Sequence, residues 1–174
     1  MCPSSTKTSA TERGSPTLLG HRLDIRAAGA QDIPACRELF TEYQRSLGVS
    51  LCFQGFDREV AELPGAYVPP LGGLWLATAD GQVAGCVALR PLGPGEAEMK
   101  RLYVRPGFRG HHLGRALAEL VIDAARAAGH RTLKLDTLPS MRQAQSLYER
   151  LGFVDVAPYN DNRIEGVRFL ALPL

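Results

Sequence analysis

The run Arg105-Pro-Gly-Phe-Arg-Gly-His-His-Leu-Gly-Arg115 carries the most chemistry in the sequence. Gly110 and Gly114 allow close approach of the main chain to a ligand, Arg109 and Arg115 bracket the turn, and an amphipathic helix opens at Leu113. A helix start presents unsatisfied N–H groups and the positive end of its dipole, which attract anions. A hydrogen bond to a charged group contributes about 1.5–3 kcal/mol. Two or three of them supply a large share of the roughly 8 kcal/mol behind micromolar affinity. The guest that this element suits is a diphosphate. Met99 to Arg115 holds five basic residues and no acid, although the whole chain carries only +2. The neighbouring His111 and His112 diverge at a helix start and no third ligand is evident, so no metal is expected.

The elements that must position this loop follow from pattern. Within 174 residues, 45% apolar and 22% charged, one globular domain is expected over residues 21–174, after a Ser/Thr-rich disordered tail over residues 1–20. Leu23 to Arg26 alternates as a strand. Asp32 offers an N-cap to a helix with Ile33, Cys36, Phe40, Tyr43 and Leu47 on its apolar face, ended by Gly48. A short helix fits around Asp57 to Leu63. Leu74 to Thr78 and Gln82 to Leu89 form a hairpin across Asp80-Gly81, and Glu98 to Val104 forms a further strand after a turn at Pro91 to Gly95.

The loop helix places Leu113, Leu117, Leu120, Val121 and Ala124 inward, pairs Arg115 with Glu119, and stops at Gly129. A strand through Leu133 and Leu135 follows. Ser140 and Gln143 make a capping box for a last helix with Met141, Ala144, Leu147, Tyr148 and Leu151 inside, and two strands, Phe153 to Val156 and Val167 to Leu172, close the chain. This order implies an α/β fold: a mixed, mostly antiparallel sheet of about seven strands flanked by about four helices. Cys2, Cys36, Cys52 and Cys86 form no C-x-x-C pair and read as idle thiols. With no secretory leader pattern and no long apolar span, a cytoplasmic location is expected. The balanced charge argues against a nucleic-acid coat, and without a long apolar span no membrane partner is expected.

Arg109-x-x-His112-x-Gly114, preceded by Leu102-Tyr103-Val104-Arg105-Pro106 and followed by Leu147-Tyr148-Glu149-Arg150-Leu151-Gly152-Phe153, resembles the GNAT superfamily of N-acetyltransferases. His112 stands where that loop usually has its first Gly, and Met141 where many members have Asn. The resemblance implies a sheet splayed between the Glu98–Val104 and Thr132–Asp136 strands, with acetyl-CoA in the gap. It implies that the main chain of Leu102, Tyr103 and Val104 pairs with the pantetheine arm. The diphosphate then rests on Arg109, Gly110, His111, His112, Leu113 and Gly114, with Arg115 beside it.

Direct acetyl transfer needs a neutral amine. At an ordinary amine pKa of about 10.4, roughly one part in 2,500 is neutral at pH 7, a deficit of about 4.6 kcal/mol. Glu98 is the candidate general base, directly or through a water, and Tyr148 the candidate acid to the departing thiolate. The acceptor stays open between small amines, amino acids, antibiotics and protein lysines, and the oligomeric state is open too, a homodimer included. Two alternatives compete. One is a non-catalytic acyl-CoA sensor on the same fold. The other is a dinucleotide-binding protein, because Asp136 follows Gly114 by 22 residues at a strand end.

Overall fold

The computed structural model describes residues 17–18, 21–49 and 55–174. The chain opens with β1 (Thr17–Leu18), β2 (His21–Ala27), α1 (Ile33–Leu47) and α2 (Phe56–Ala61). A meander of β3 (Gly73–Ala79), β4 (Gln82–Gly93) and β5 (Glu96–Val104) follows, then α3 (Leu113–Ala127), β6 (Thr132–Thr137), α4 (Arg142–Arg150), β7 (Val154–Asp155) and β8 (Arg168–Pro173). The strands make one sheet in the order β1-β2-β3-β4-β5-β6-β8-β7. Every pairing is antiparallel except β5 with β6. That single parallel contact is incompatible with a doubly wound dinucleotide fold, which removes the reading of Asp136 as a ribose-binding acid.

Alternation along the strands sends apolar side chains to both faces. On one face Leu113, Leu117, Val121, Ile122 and Ala125 of α3 and Tyr148 of α4 pack with Val87, Leu89, Ala97, Leu133 and Leu135. On the other, Cys36, Leu39 and Phe40 of α1 and Phe56 of α2 pack with Leu74, Leu76, Cys86, Ala88 and Tyr103. The expected inward residues Leu120 and Ala124 lie at the margin of the first cluster, which α3 reaches more directly through Ala118, Ile122 and Ala125.

The expected hairpin turn forms with Asp80 and Gly81 at φ 48° and 79°, the paired positive angles of a tight two-residue connection. Gly48 ends α1 in the left-handed region at φ 67°. Several boundaries differ from the sequence reading. Residues 1–16, 19 and 20 of the expected tail lie outside the described residues, while Thr17 and Leu18 pair with β2. Asp32 does not cap α1 with its side chain, because a 3-10 turn over Ala30–Asp32 precedes the helix. Its carboxylate instead accepts from Gly29 N at 2.8 Å and from Arg26 at 2.6 and 2.8 Å. Ser140 and Gln143 form no cap either, since α4 starts behind Met141 without a side-chain cap. β4 continues past Leu89 through Pro91, which sits beside a bulge where a missing N–H costs no ladder bond.

Candidate active site

β5 pairs with β6 only at Glu96–Thr132, Ala97–Leu133 and Glu98–Lys134. Beyond Glu98 the strands part. β5 continues along β4 to Tyr103–Cys86 and Val104–Gly85, while β6 continues along β8 to Thr137–Arg168. The parting coincides with a register shift between Cys86 and Ala88, opposite Arg101, whose backbone is left-handed at φ 56°. An L residue held there costs about 1–2 kcal/mol. The Arg101 side chain is anchored in return: it meets Glu59 at 2.9 and 2.6 Å, and its guanidinium carbon lies 5.2 Å from the centre of the Phe56 ring. The sequence carries no sign of this kink, since arginine has no left-handed preference.

The expected splay therefore exists, and it opens onto a cleft of about 580 Å³. Leu102, Tyr103 and Val104 form one wall. The floor is Arg109, Gly110, His112, Leu113 and Gly114, and the far walls are Tyr43, Ser46 and Leu47 of α1 and Met141, Arg142 and Ala144 of α4. His111 and Arg115, expected among the diphosphate ligands, are not in the lining. Arg115 forms its i,i+4 pair with Glu119 at 2.8 Å. Arg142 on α4 was not among the residues expected at the site.

His112 resolves its own departure from the family loop. It adopts φ 58°, the left-handed conformation that a glycine would favour, and it caps α3 with its backbone. Gly110 sits at φ 83°. No side chain caps α3 and no acid stands in its first turn, so the first N–H groups of the helix face the cleft with the dipole uncompensated. Arg109 is held at the strand end by donating Nε–H to Val104 O at 2.9 Å.

The basic block is mostly engaged elsewhere, which corrects the sequence reading of its purpose. Arg105 pairs with Glu38 and Glu42, Arg101 with Glu59, and Arg115 with Glu119. Arg109 is the member of that set whose side chain belongs to the cleft.

Deeper in the gap a cavity of about 20 Å³ is lined by Lys100, Arg101, Asp136 and Tyr148, and it shares Tyr43, Leu102 and Met141 with the cleft. Tyr148 is buried, and its ring packs edge-on against Phe153 at 5.7 Å. Burial pushes its phenol above the ordinary range, with Tyr43 and Asp136 adding to the shift. Asp136 Oδ2 accepts from Asn160 and Asn162 at 3.1 and 3.0 Å.

Glu98 is fully buried. Its Oε2 meets Arg90 at 2.6 and 2.7 Å, and its Oε1 accepts from the Tyr159 hydroxyl at 2.9 Å. Both oxygens are engaged. Direct proton abstraction by Glu98, one form of the sequence expectation, lacks the geometry it requires.

Cys36 and Cys86 are buried free thiols, Cys36 pushed up to about 11 by desolvation; Cys2 and Cys52 lie outside the described residues. Among the described residues no cluster of three or more His, Cys, Asp or Glu is arranged to hold a metal ion. No described helix is long and apolar enough to cross a membrane.

Residues 34–153 match the model of the acetyltransferase (GNAT) family. The chain belongs to that family. An uncharacterized N-acetyltransferase of Schizosaccharomyces pombe is 39% identical over 146 residues, covering 83% of this chain and 90% of that protein. An uncharacterized N-acetyltransferase of Escherichia coli is 29% identical over 135 residues, covering 74% and 80%. A GNAT-family acetyltransferase of Staphylococcus aureus superposes with a TM-score of 0.73 at 19% identity, over 87% of this chain and 98% of its own. A Salmonella typhimurium structure described with its cofactor acetyl-CoA superposes at 0.66 with 20% identity, over 87% and 93%. The chain is an acyltransferase of this family.

Proposed function

We propose that this protein moves an acetyl group from acetyl-CoA directly to an amine within one ternary complex. The observation that carries the reading is the parting of β5 from β6 after Glu98, beside an α3 N-terminus that has neither a side-chain cap nor an acid in its first turn. The residues present fit the co-substrate. The open edge of Leu102–Val104 offers main-chain groups to an extended arm, and the loop from Arg109 to Gly114 offers N–H groups to a diphosphate, with Arg142 across the cleft. Acetyl-CoA supplies an activated thioester when bound.

Transfer forms a C–N bond and breaks a C–S bond. An ammonium acceptor loses two N–H protons overall, one to the departing thiol and one to water. Tyr148, which lines the small cavity behind the cleft, donates a hydrogen bond to the thiolate in this reading. With Glu98 engaged by Arg90 and Tyr159, the geometry favours selection of the neutral amine by desolvation over abstraction of its proton. Among the described residues, the two cysteines Cys36 and Cys86 are enclosed in the α1–α2 core rather than exposed in the cleft, which fits direct transfer.

The test is a thiol-release screen with acetyl-CoA against small amines, amino acids, aminoglycosides and lysine peptides, paired with thermal-shift measurements using acetyl-CoA and NAD. Stabilisation by acetyl-CoA with turnover of an amine, and intersecting initial-rate lines, is the expected result. Stabilisation without turnover of any class would favour a sensor, and parallel lines would indicate an acyl-enzyme.

A further inference from the structure

Tyr43, Leu102 and Met141 line both the cleft of about 580 Å³ and the cavity of about 20 Å³ behind it, so they form the neck between the two spaces. An extended arm that runs from the diphosphate loop along Val104 to Leu102 arrives at this neck, with the small cavity beyond it. Behind the neck stand Met99, Leu135 and Tyr148, all buried, the Tyr148 ring set edge-on against Phe153 at 5.7 Å. Close-packed walls of this kind do not yield freely to an added methylene. Lys100, Arg101 and Asp136 complete the lining, and each is already partnered within the protein, so the cavity calls for no further charge.

A water-sized group needs about 10–15 Å³ of free volume. A cavity of about 20 Å³ therefore takes one such group, a methyl, and is filled before a second carbon is added. Two of the neck residues are fixed by other contacts. Tyr43 is braced by the Tyr103 ring at 6.1 Å and by the Arg101 guanidinium carbon at 6.0 Å, and Leu102 belongs to β5 itself. Met141 stands at the start of α4, where its N–H donates to Leu138 O and its carbonyl accepts from Gln145 N–H, both at 3.0 Å. Those main-chain bonds hold its position and leave the side chain to serve as a wall.

We propose that the site selects acetyl over longer acyl groups, and that the Met141 side chain sets the limit on chain length. This rests on the acetyltransferase reading above. The carbonyl carbon stays at the neck and its methyl occupies the small cavity; the bonds formed and broken, and the proton accounting, are those already given. Shortening Met141 joins the cavity to the cleft and admits longer chains.

The test compares acetyl-, propionyl- and butyryl-CoA with the full chain in two readouts: dissociation constants by calorimetry without acceptor, and thiol release with an acceptor from the screen above. One extra methylene in a fitted pocket is worth about 10- to 200-fold, so kcat/KM is expected to fall by about tenfold or more from acetyl- to propionyl-CoA, and further for butyryl-CoA. Affinity is expected to weaken by about fivefold or more at the first step. In Met141→Ala both acetyl-to-propionyl ratios are expected to fall to within about twofold of unity. Should Met141→Ala fail to fold, Met141→Val is measured instead, with each ratio expected to fall by about twofold or more. Equal binding and turnover of propionyl-CoA by the native protein would overturn the limit on chain length while leaving the acetyltransferase reading in place. Native selectivity retained in a folded Met141 variant would overturn the assignment to Met141. Binding of acetyl-CoA without turnover of any acceptor would overturn the catalytic reading, and the calorimetric series would then decide the chain-length limit by itself. Failure of every acyl-CoA to bind would overturn both.

Discussion

Replacing Tyr148 by Phe isolates the chemistry of one hydroxyl. The ring is 5% exposed and packs edge-on against Phe153, and Phe retains both features. The Tyr148 hydroxyl makes no hydrogen bond to another described residue, so its removal strands no partner and stability should change little. The kinetic consequence depends on what the hydroxyl does for the leaving thiolate. An ordinary phenol near 10 and a thiol near 8.5 make full proton transfer uphill by about 2 kcal/mol. Burial raises the Tyr148 phenol further, which makes complete transfer less favourable still. Donation of a hydrogen bond to the developing negative charge is the contribution that survives this arithmetic. At about 1.5–3 kcal/mol for a bond to a charged group, its loss lowers kcat by roughly 10- to 150-fold.

The assay is thiol release at saturating acetyl-CoA and acceptor, with KM for acetyl-CoA measured alongside. KM should stay within about threefold, because the bond forms chiefly as charge develops. The pH profile adds a second reading with a defined sign. The active form is the protonated phenol, and its raised pKa keeps it protonated past the ordinary value of about 10. Between pH 7 and 10, therefore, the native enzyme should show no alkaline loss of kcat that disappears in Tyr148→Phe. An unchanged kcat in Tyr148→Phe would remove the hydroxyl from the mechanism. A fall of more than about 4 °C in Tm would show instead that it had supported the fold.

Three further substitutions test the structure around it. His112→Gly should relieve the left-handed cost of about 1–2 kcal/mol less the 0.5–1 kcal/mol of added glycine entropy. Tm should rise by up to about 6 °C at this chain length, and a decrease by differential scanning calorimetry would contradict the assigned backbone. Glu98→Gln breaks a buried pair with Arg90, which can partly rehydrate at 35% side-chain exposure, so a loss near the low end of 3–5 kcal/mol is expected. Its urea midpoint should fall accordingly, whereas intact stability with a 100-fold drop in kcat would restore Glu98 as the base. Asp32 is held down to about 2 by Arg26 and the Gly29 N–H. The stability it contributes is present above its ordinary value near 3.9 and is lost as pH falls through about 2. Asp32→Asn should lower Tm at pH 7 and remove that part of the decline between pH 4 and 2; an identical acid limb in both proteins would refute the pairing.

What was legible in the sequence was local. Asp80-Gly81 between two alternating runs specifies a turn because positive φ is needed at both positions. The 3.6-residue stripes of α1 and α3 specify faces because each helix must cover an apolar sheet surface. The cleft floor was also local, since Arg109 to Gly114 are consecutive, and eight of the ten residues expected around acetyl-CoA do line the cleft. The misread features depend on partners distant in the chain. Glu98 looked like a catalytic carboxylate because nothing near it announces Tyr159, 61 residues away. Asp32 looked like a cap because its preference for that position is strong, but Arg26 and Gly29 compete for the same oxygens.

The basic block shows how the two levels fit together. Five cations in one stretch read as a single anion site, yet Arg101 and Arg105 reach back to Glu59, Glu38 and Glu42 in the segment that folds over β5. Those pairs fasten α1 and α2 to the strand at the place where it kinks. Without the Glu59 pair, the left-handed Arg101 would keep its backbone cost and lose its anchor. Relaxation of that residue into the ladder would draw β5 toward straight pairing and narrow the gap that its departure from β6 creates. The anion site can depend less on side-chain charge because backbone N–H groups and the α3 dipole provide a fixed field that needs no ordering of long side chains. The arginines thus contribute mainly by holding the shape of the gap, and the peptide groups of the loop contribute the field for the diphosphate.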